Sequence, residues 1–400
     1  HEARHRRRRL RGRVSLVSQP LWHAGFRPFF ALACLSGIVL PLLWALMFAG
    51  ALEAPTAAFT ASQWHAHEMF FGFGWAMLAG FLLTASKNWV KIRGYHGASL
   101  IFLVAAWCLE RLGMAFGAGW PPALFQFSNQ LFLVAVVAML MWTLLRHRDS
   151  DGYRRDNVFF LLLLPLFPLA KFLLLDGHWS QAGQLMALGL FRLAFLIMLE
   201  RTLTDFMKNV FQAAILRRPA LDVSIKALAL VLAFAGFMPP ALQGGLAFLL
   251  AGLLVGRFAF WKPGLALRRL DIGIMYLGYL AIVLQLLVVA FEQLAGVVWV
   301  GSVTMHLFTF GAMGLIVPAM IVRISKGHTG RKVAFEAMDK AVLWLMIAAL
   351  VLRVVAPQLA PGAYLLWVSL AAAGWALAFA ILAWRVIPFL LAPRIDGREH

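Results

Sequence analysis

The sequence predicts an all-α integral membrane protein of about twelve transmembrane helices with both termini on the cytoplasmic side, and three observations carry that prediction. Hydrophobic residues make up 62% of the chain and charged ones 13%, with a mean hydropathy of +0.82. A soluble domain cannot bury that much apolar surface, so lipid must cover much of it. Apolar stretches of about 20 residues, the length that crosses a hydrocarbon core of about 30 Å, recur from end to end. Basic residues gather in alternate loops, as they do when one face of a bundle meets the cytoplasm.

Reading apolar runs against their breakers places spans near 27–49, 64–86, 98–117, 122–146, 156–175, 180–206, 222–239, 241–261, 271–293, 300–323, 334–355 and 362–391. Turns fall at Pro121–Pro122, Asp176–Gly177, Pro239–Pro240 and Pro361–Gly362. The layout is a basic cytoplasmic segment 1–26, a membrane domain 27–391 and a cytoplasmic tail 392–400, with no linker long enough for a second domain. The segment 1–26 is charged rather than apolar, so no cleavable signal peptide is expected. Loop charge then tests the count. One set of loops carries Lys87, Lys91 and Arg93, then Arg146, Arg148, Arg154 and Arg155, then Lys208, Arg217 and Arg218, then Lys262, Arg268 and Arg269, then Lys326, Arg331 and Lys332. The opposite loops, 51–63, 118–121, 176–179, 238–240, 294–299 and 356–361, contain no Lys or Arg. The first set is therefore expected inside, with both termini.

A net charge of +19, with seven arginines between Arg4 and Arg13, is accounted for by the same rule and by anionic headgroups, so the bilayer rather than nucleic acid is the expected partner. Cys34 and Cys108 both lie in spans, which leaves no disulfide framework and no zinc ribbon. Any metal must be held by histidines.

Three histidines fall at one depth of the outer half, where polar groups are costly and mark function. His65 and His67 open the second span in Trp64-His65-Ala66-His67-Glu68, and His306 lies about 9 Å down the tenth at 1.5 Å per residue. Residues i and i+2 on a helix point about 200° apart. Either the stretch is partly extended, or His65 and His67 serve different centres on different faces. Imidazole suits iron and copper alike. Glu68 is placed to orient a ligating ring. Below His65, Gly72, Ala76 and Ala79 form a smooth strip on which a flat porphyrin could lie, or along which helices simply approach closely. Arg111 and Arg353, with Lys171, are the outer-half cations available to propionates, the bland alternative being charge pairs or snorkelling. His328 sits inside, in a Gly-bounded basic turn ending at Arg331.

These residues resemble the NnrS family, the bacterial membrane haem–copper proteins of the nitric oxide response. The likeness rests on Gly25-Phe26-Arg27-Pro28-Phe29-Phe30, on Trp64-His65-Ala66-His67-Glu68-Met69 running into Gly80-Phe81-Leu82-Leu83-Thr84-Ala85 and Asn88-Trp89, and on His306, Gly311-Ala312-Met313-Gly314 and Gly327-His328-Thr329-Gly330-Arg331. Arg201 in Arg201-Thr202-Leu203-Thr204-Asp205-Phe206 matches another family position. The resemblance implies a twelve-span inner-membrane protein that carries haem b and copper, is associated with denitrification and nitrosative stress, and binds, turns over or buffers nitric oxide. It implies a ligand role for His65, His67, His306 and His328, with Arg201 and Arg331 as supporting residues, and leaves an electron donor unidentified. Two rivals stand beside this reading. A respiratory-type nitric oxide reductase would need more histidines, because the sixth and seventh spans have none. A transporter without redox cofactor would draw on the embedded Arg192, Arg257 and Glu110–Arg111, yet no inverted repeat is visible.

Overall fold

The computed structural model describes residues 15–55 and 58–398; the run Arg4–Arg13 and the tip of the first outer loop at 56–57 lie outside them. Among the described residues every regular element is helical. Helices occupy all twelve expected positions: α1 Phe26–Phe48, α2 Ala61–Val90, α3 Ala98–Phe116, α4 Pro122–Arg146, α5 Asn157–Leu175, α6 Ser180–Phe211, α7 Pro219–Leu232, α8 Pro240–Phe260, α9 Leu270–Ala295, α10 Val303–Gly327, α11 Ala337–Leu359 and α12 Tyr364–Leu391.

Eleven of these are long and apolar enough to cross a membrane, and α7 is the exception. Its 14 residues rise about 21 Å, short of the hydrocarbon thickness. The run expected over 222–239 breaks because the chain leaves the helix after Leu232 and turns through Ala235–Phe237 before Pro239–Pro240. The two described ends of the bundle share a face: Arg27 Nη1, at the start of α1, donates to the carbonyls of Leu390 and Ala392 at 2.9 and 2.7 Å. α1 also packs along α12, so the first and last spans are neighbours.

Burial separates an inner from an outer set. The most apolar windows of α2, α6, α9 and α10 are 83, 83, 72 and 89% buried, whereas the other seven spans reach 50% or less. The outer helices present Leu35, Val39, Phe248, Leu249 and Trp384 outward, as a lipid-facing surface requires. The inner helices meet through small residues. A Cβ on Gly311 of α10 would lie 2.6 Å from Ala281 of α9, and one on Gly278 would lie 2.4 Å from Ile316, so only glycine permits that approach.

Three spans are interrupted by π-helical turns, at Glu68–Gly74 in α2, Leu307–Met313 in α10 and Val351–Val355 in α11. Such turns are rare and concentrate at functional sites. Here the first begins directly after His67, the second directly after His306, and the third contains Arg353.

Candidate functional site

The π turns of α2, α10 and α11 converge on one cavity of about 590 Å³ at the end of the bundle whose loops lack Lys and Arg. That volume lies in the range of small-molecule and cofactor pockets. Its flat walls are Trp44 of α1, Phe70 of α2, Phe310 of α10 and Trp375 of α12. Its polar lining includes His65, His306, Arg353, Tyr364 and Glu292, together with Gln181, Gln184, Gln243 and Gln293.

His65 is placed by the start of α2. Thr60 Oγ1 accepts from the Gln63 amide at 3.1 Å while Gln63 Oε1 accepts from the Thr60 amide at 2.8 Å, a reciprocal cap that fixes where the helix begins. Gln63 Nε2 also donates to the carbonyls of Leu174 and Asp176, both at 3.3 Å, which ties the helix end to α5. Two residues on, the His65 ring stacks against Trp44, with centroids 4.3 Å apart and planes 13° from parallel. His65 Nδ1 is buried and has no hydrogen-bond partner.

His306 faces it from α10, with ring centroids 6.4 Å apart and planes 16° from parallel. Its Nδ1 lies 2.9 Å from the Ser302 carbonyl oxygen and 2.9 Å from Ser302 Oγ. A carbonyl only accepts, so Nδ1 carries the proton and Nε2 keeps its lone pair. Arg353 Nη2 stands 3.5 Å from that Nε2 and 3.4 Å from Ser302 Oγ, while its Nη1 donates to the Tyr364 hydroxyl at 3.2 Å. No carboxylate pairs with Arg353 among the described residues. The cavity therefore offers two imidazoles with nitrogen to spare, across a gap wide enough for one metal ion with bonds of about 2 Å to each ring. Beside them stands a guanidinium free to take a carboxylate.

His67 is not part of this cavity. It points to the opposite side of α2, as the i, i+2 spacing on a helix requires, and is fully buried among charges. Its Nδ1 donates to Glu68 Oε1 at 2.9 Å, and its Nε2 accepts from Asn129 Nδ2 at 3.0 Å with Glu110 Oε1 at 3.4 Å, so neither ring nitrogen is left over. Arg111 belongs to the same cluster rather than to the cavity, forming ion pairs from Nε with Glu68 at 2.9 Å and from Nη2 with Glu110 at 2.8 Å. Lys171 completes it by pairing with Glu110 and donating to the Asn129 carbonyl. Two carboxylates, two cations and a neutral imidazole balance one another inside the bilayer region, the condition for burying charge there.

The strip below His65 does not face the cavity either. A Cβ on Gly72 would meet Arg111 Nη1 at 2.8 Å, the Gly72 carbonyl accepts from Trp107 Nε1 at 3.0 Å, and Ala76 is fully packed. Gly72 and Ala76 serve helix packing. His328 lies about 33 Å along α10 from His306 at 1.5 Å per residue, on the other face of the bundle. Burial pushes its imidazole down to about 4, with Lys87 and Arg394 adding to the shift. Arg201 is boxed by Tyr153, Trp89 and Phe160 at 4.2, 4.6 and 5.6 Å and donates to Asn157 Oδ1 at 2.8 Å. Arg331 stacks on Phe389 at 4.2 Å, also away from the cavity.

Sequence reasoning passed over Trp44, Tyr364, Glu292 and the four glutamines. Their common signal is polarity at the outer ends of apolar spans, which the histidines overshadowed. Among the described residues no group of three or more His, Cys, Asp or Glu side chains is arranged to hold a metal ion.

No curated protein matches the chain. The family model described as NnrS protein matches residues 20–394, nearly its full length, and the chain belongs to the NnrS family.

Proposed function

We propose that the cavity holds one haem b between His65 and His306, with Arg353 pairing a propionate, and that the protein binds, turns over or buffers nitric oxide in the bacterial inner membrane. The observation that carries the proposal is the facing pair of imidazoles, 6.4 Å apart across a cavity of about 590 Å³ with a guanidinium at its edge. Family membership supports the nitric oxide response in general terms. The bound haem would supply an iron that could take a diatomic ligand only where one of the two histidines gives way to it. Ser302 fixes the tautomer of His306, Trp44 holds the plane of His65, and Phe70, Phe310 and Trp375 keep the cavity wall apolar. Nitric oxide is small and apolar enough to arrive through the lipid. His67, the other histidine of the pair, has both ring nitrogens engaged by Glu68 and Asn129. The loop charges support an orientation with both termini cytoplasmic, which impermeant labelling of the loop lysines reads directly.

The purified protein is expected to show a Soret band with one haem per chain, and nitric oxide added to the reduced protein is expected to shift that band. Two tightly bound haems per chain would contradict the single-cavity site. A colourless protein that still inserts would return the chain to the transporter reading.

A further inference from the structure

On the face opposite the cavity, four elements deliver cations to one place. Arg27 comes from the start of α1, Lys87 from the end of α2, Arg331 from the turn after α10 and Arg394 from the segment after α12. Arg27 has Arg394 and Arg331 as its electrostatic neighbours, and Lys87 has Arg394 and Arg93. His328 sits among them, its carbonyl accepting from Arg394 Nη1 at 2.9 Å and its ring 5.6 Å from Phe26. Among the described residues the carboxylate that pairs within this group is Asp396, held by Arg394 at 2.9 and 2.6 Å.

Among the described residues Arg27, Lys87 and Arg331 pair with no carboxylate. Arg27 spends its guanidinium on the carbonyls of Leu390 and Ala392. Lys87 is 9% exposed, and its ammonium makes no hydrogen bond or ion pair among the described residues. Arg331 Nη1 is buried without a hydrogen-bond partner, the guanidinium resting on the Phe389 ring. Several buried cations elsewhere are compensated by carboxylates: Lys226 pairs with Glu200 and Asp156, and Lys326 pairs with Asp339. Snorkelling lets the Lys87 ammonium reach water, but it does not account for Arg331 Nη1, buried without a hydrogen-bond partner beside like charges. Like-charged groups gathered with unpaired donors are stable when an anion completes them, and phosphate oxygens suit both guanidinium and ammonium.

We propose that Lys87 and Arg331, with Arg27 and Arg394 behind them, form a phosphate-binding site at the loop-rich face opposite the histidine cavity. A basic cluster at the end of the spans suits the phosphate of an anionic phospholipid, and inorganic phosphate shares its chemistry. The site stands independently of the haem reading, because it uses none of the cavity residues.

The test is thermal unfolding of the full-length protein, together with Lys87→Gln and Arg331→Gln, in phosphatidylcholine nanodiscs, in discs containing phosphatidylglycerol, and in detergent titrated with inorganic phosphate. The wild type is expected to be stabilised by phosphatidylglycerol, by phosphate or by both, and the arm that responds names the source. Apparent affinity for the responding phosphate should fall at least tenfold in both variants. Without the anion the variants should unfold at or above the wild-type temperature, since each removes a repelling charge; a merely structural lysine would show the opposite. Equal stability of the wild type in all three conditions, or a stabilisation that survives both substitutions, overturns the proposal.

Discussion

Replacing His306 with alanine is expected to abolish or strongly shift the Soret band of the purified protein, and His65→Ala to do the same, while both variants still insert and run at the wild-type size. An iron that loses an axial imidazole changes spin state and affinity together. The geometry separates the two members of the His-x-His pair. His65 faces His306 across the cavity, whereas His67 has its Nδ1 on Glu68 and its Nε2 on Asn129. His67→Gln is therefore expected to keep the band and to cost stability instead, about 1–3 kcal/mol for the polar partners it leaves unsatisfied. A band that survives His65→Ala but is lost in His67→Gln would move the site to the far side of α2.

The largest stability effect is expected at Glu200, which is 1% exposed on α6. Its carboxylate takes Arg217 Nη2 at 2.6 Å, Lys226 Nζ at 3.0 Å and Arg257 Nη1 at 3.0 Å, and Asp222 shares Arg217 and Arg257 at 2.9 and 3.2 Å. This network fastens α7 to its neighbours: Asp222 and Lys226 lie on α7, Glu200 on α6 and Arg257 on α8. A helix too short to span is retained through ion pairs that a hydropathy count does not see. Glu200→Ala leaves Lys226 and Arg257 buried with one carboxylate fewer and is expected to cost about 3–5 kcal/mol in unfolding measured in detergent. Arg269→Ala removes a half-exposed partner of Asp271, one that Arg323 also holds, and is expected to cost under about 1 kcal/mol. Glu200→Ala unfolding together with the wild type would contradict the account of how α7 is held.

What the sequence made legible follows from which interactions are local. Apolar runs and loop charge report on the solvent around each segment, so the twelve helix positions and the buried His306 could be read directly. The smooth strip at Gly72 and Ala76 could not, because it was counted on an α-helical period from His65. The π turn over Glu68–Gly74 uses wider i→i+5 bonds and rotates everything beyond it, carrying Gly72 round to Arg111 and Trp107. The length of α7 was misread for a related reason. Hydropathy runs on through Ala233–Phe237, where the chain has already turned. Charge partners were out of reach altogether: Glu110 meets Lys171, and Glu200 meets Arg257, only once α3 and α5, or α6 and α8, are assembled. The same holds for Trp44 on His65, a contact between α1 and α2 that neither residue's surroundings announce.

The central claim, one haem between His65 and His306, is tested most directly by a cryo-electron-microscopy map of the purified protein in lipid nanodiscs. The account predicts a flat macrocycle in the cavity walled by Trp44, Phe310 and Trp375, with density joining its centre to both imidazoles and Arg353 at a propionate. A map with lipid or water in that cavity, and the macrocycle seated at His67 or His328, would contradict it.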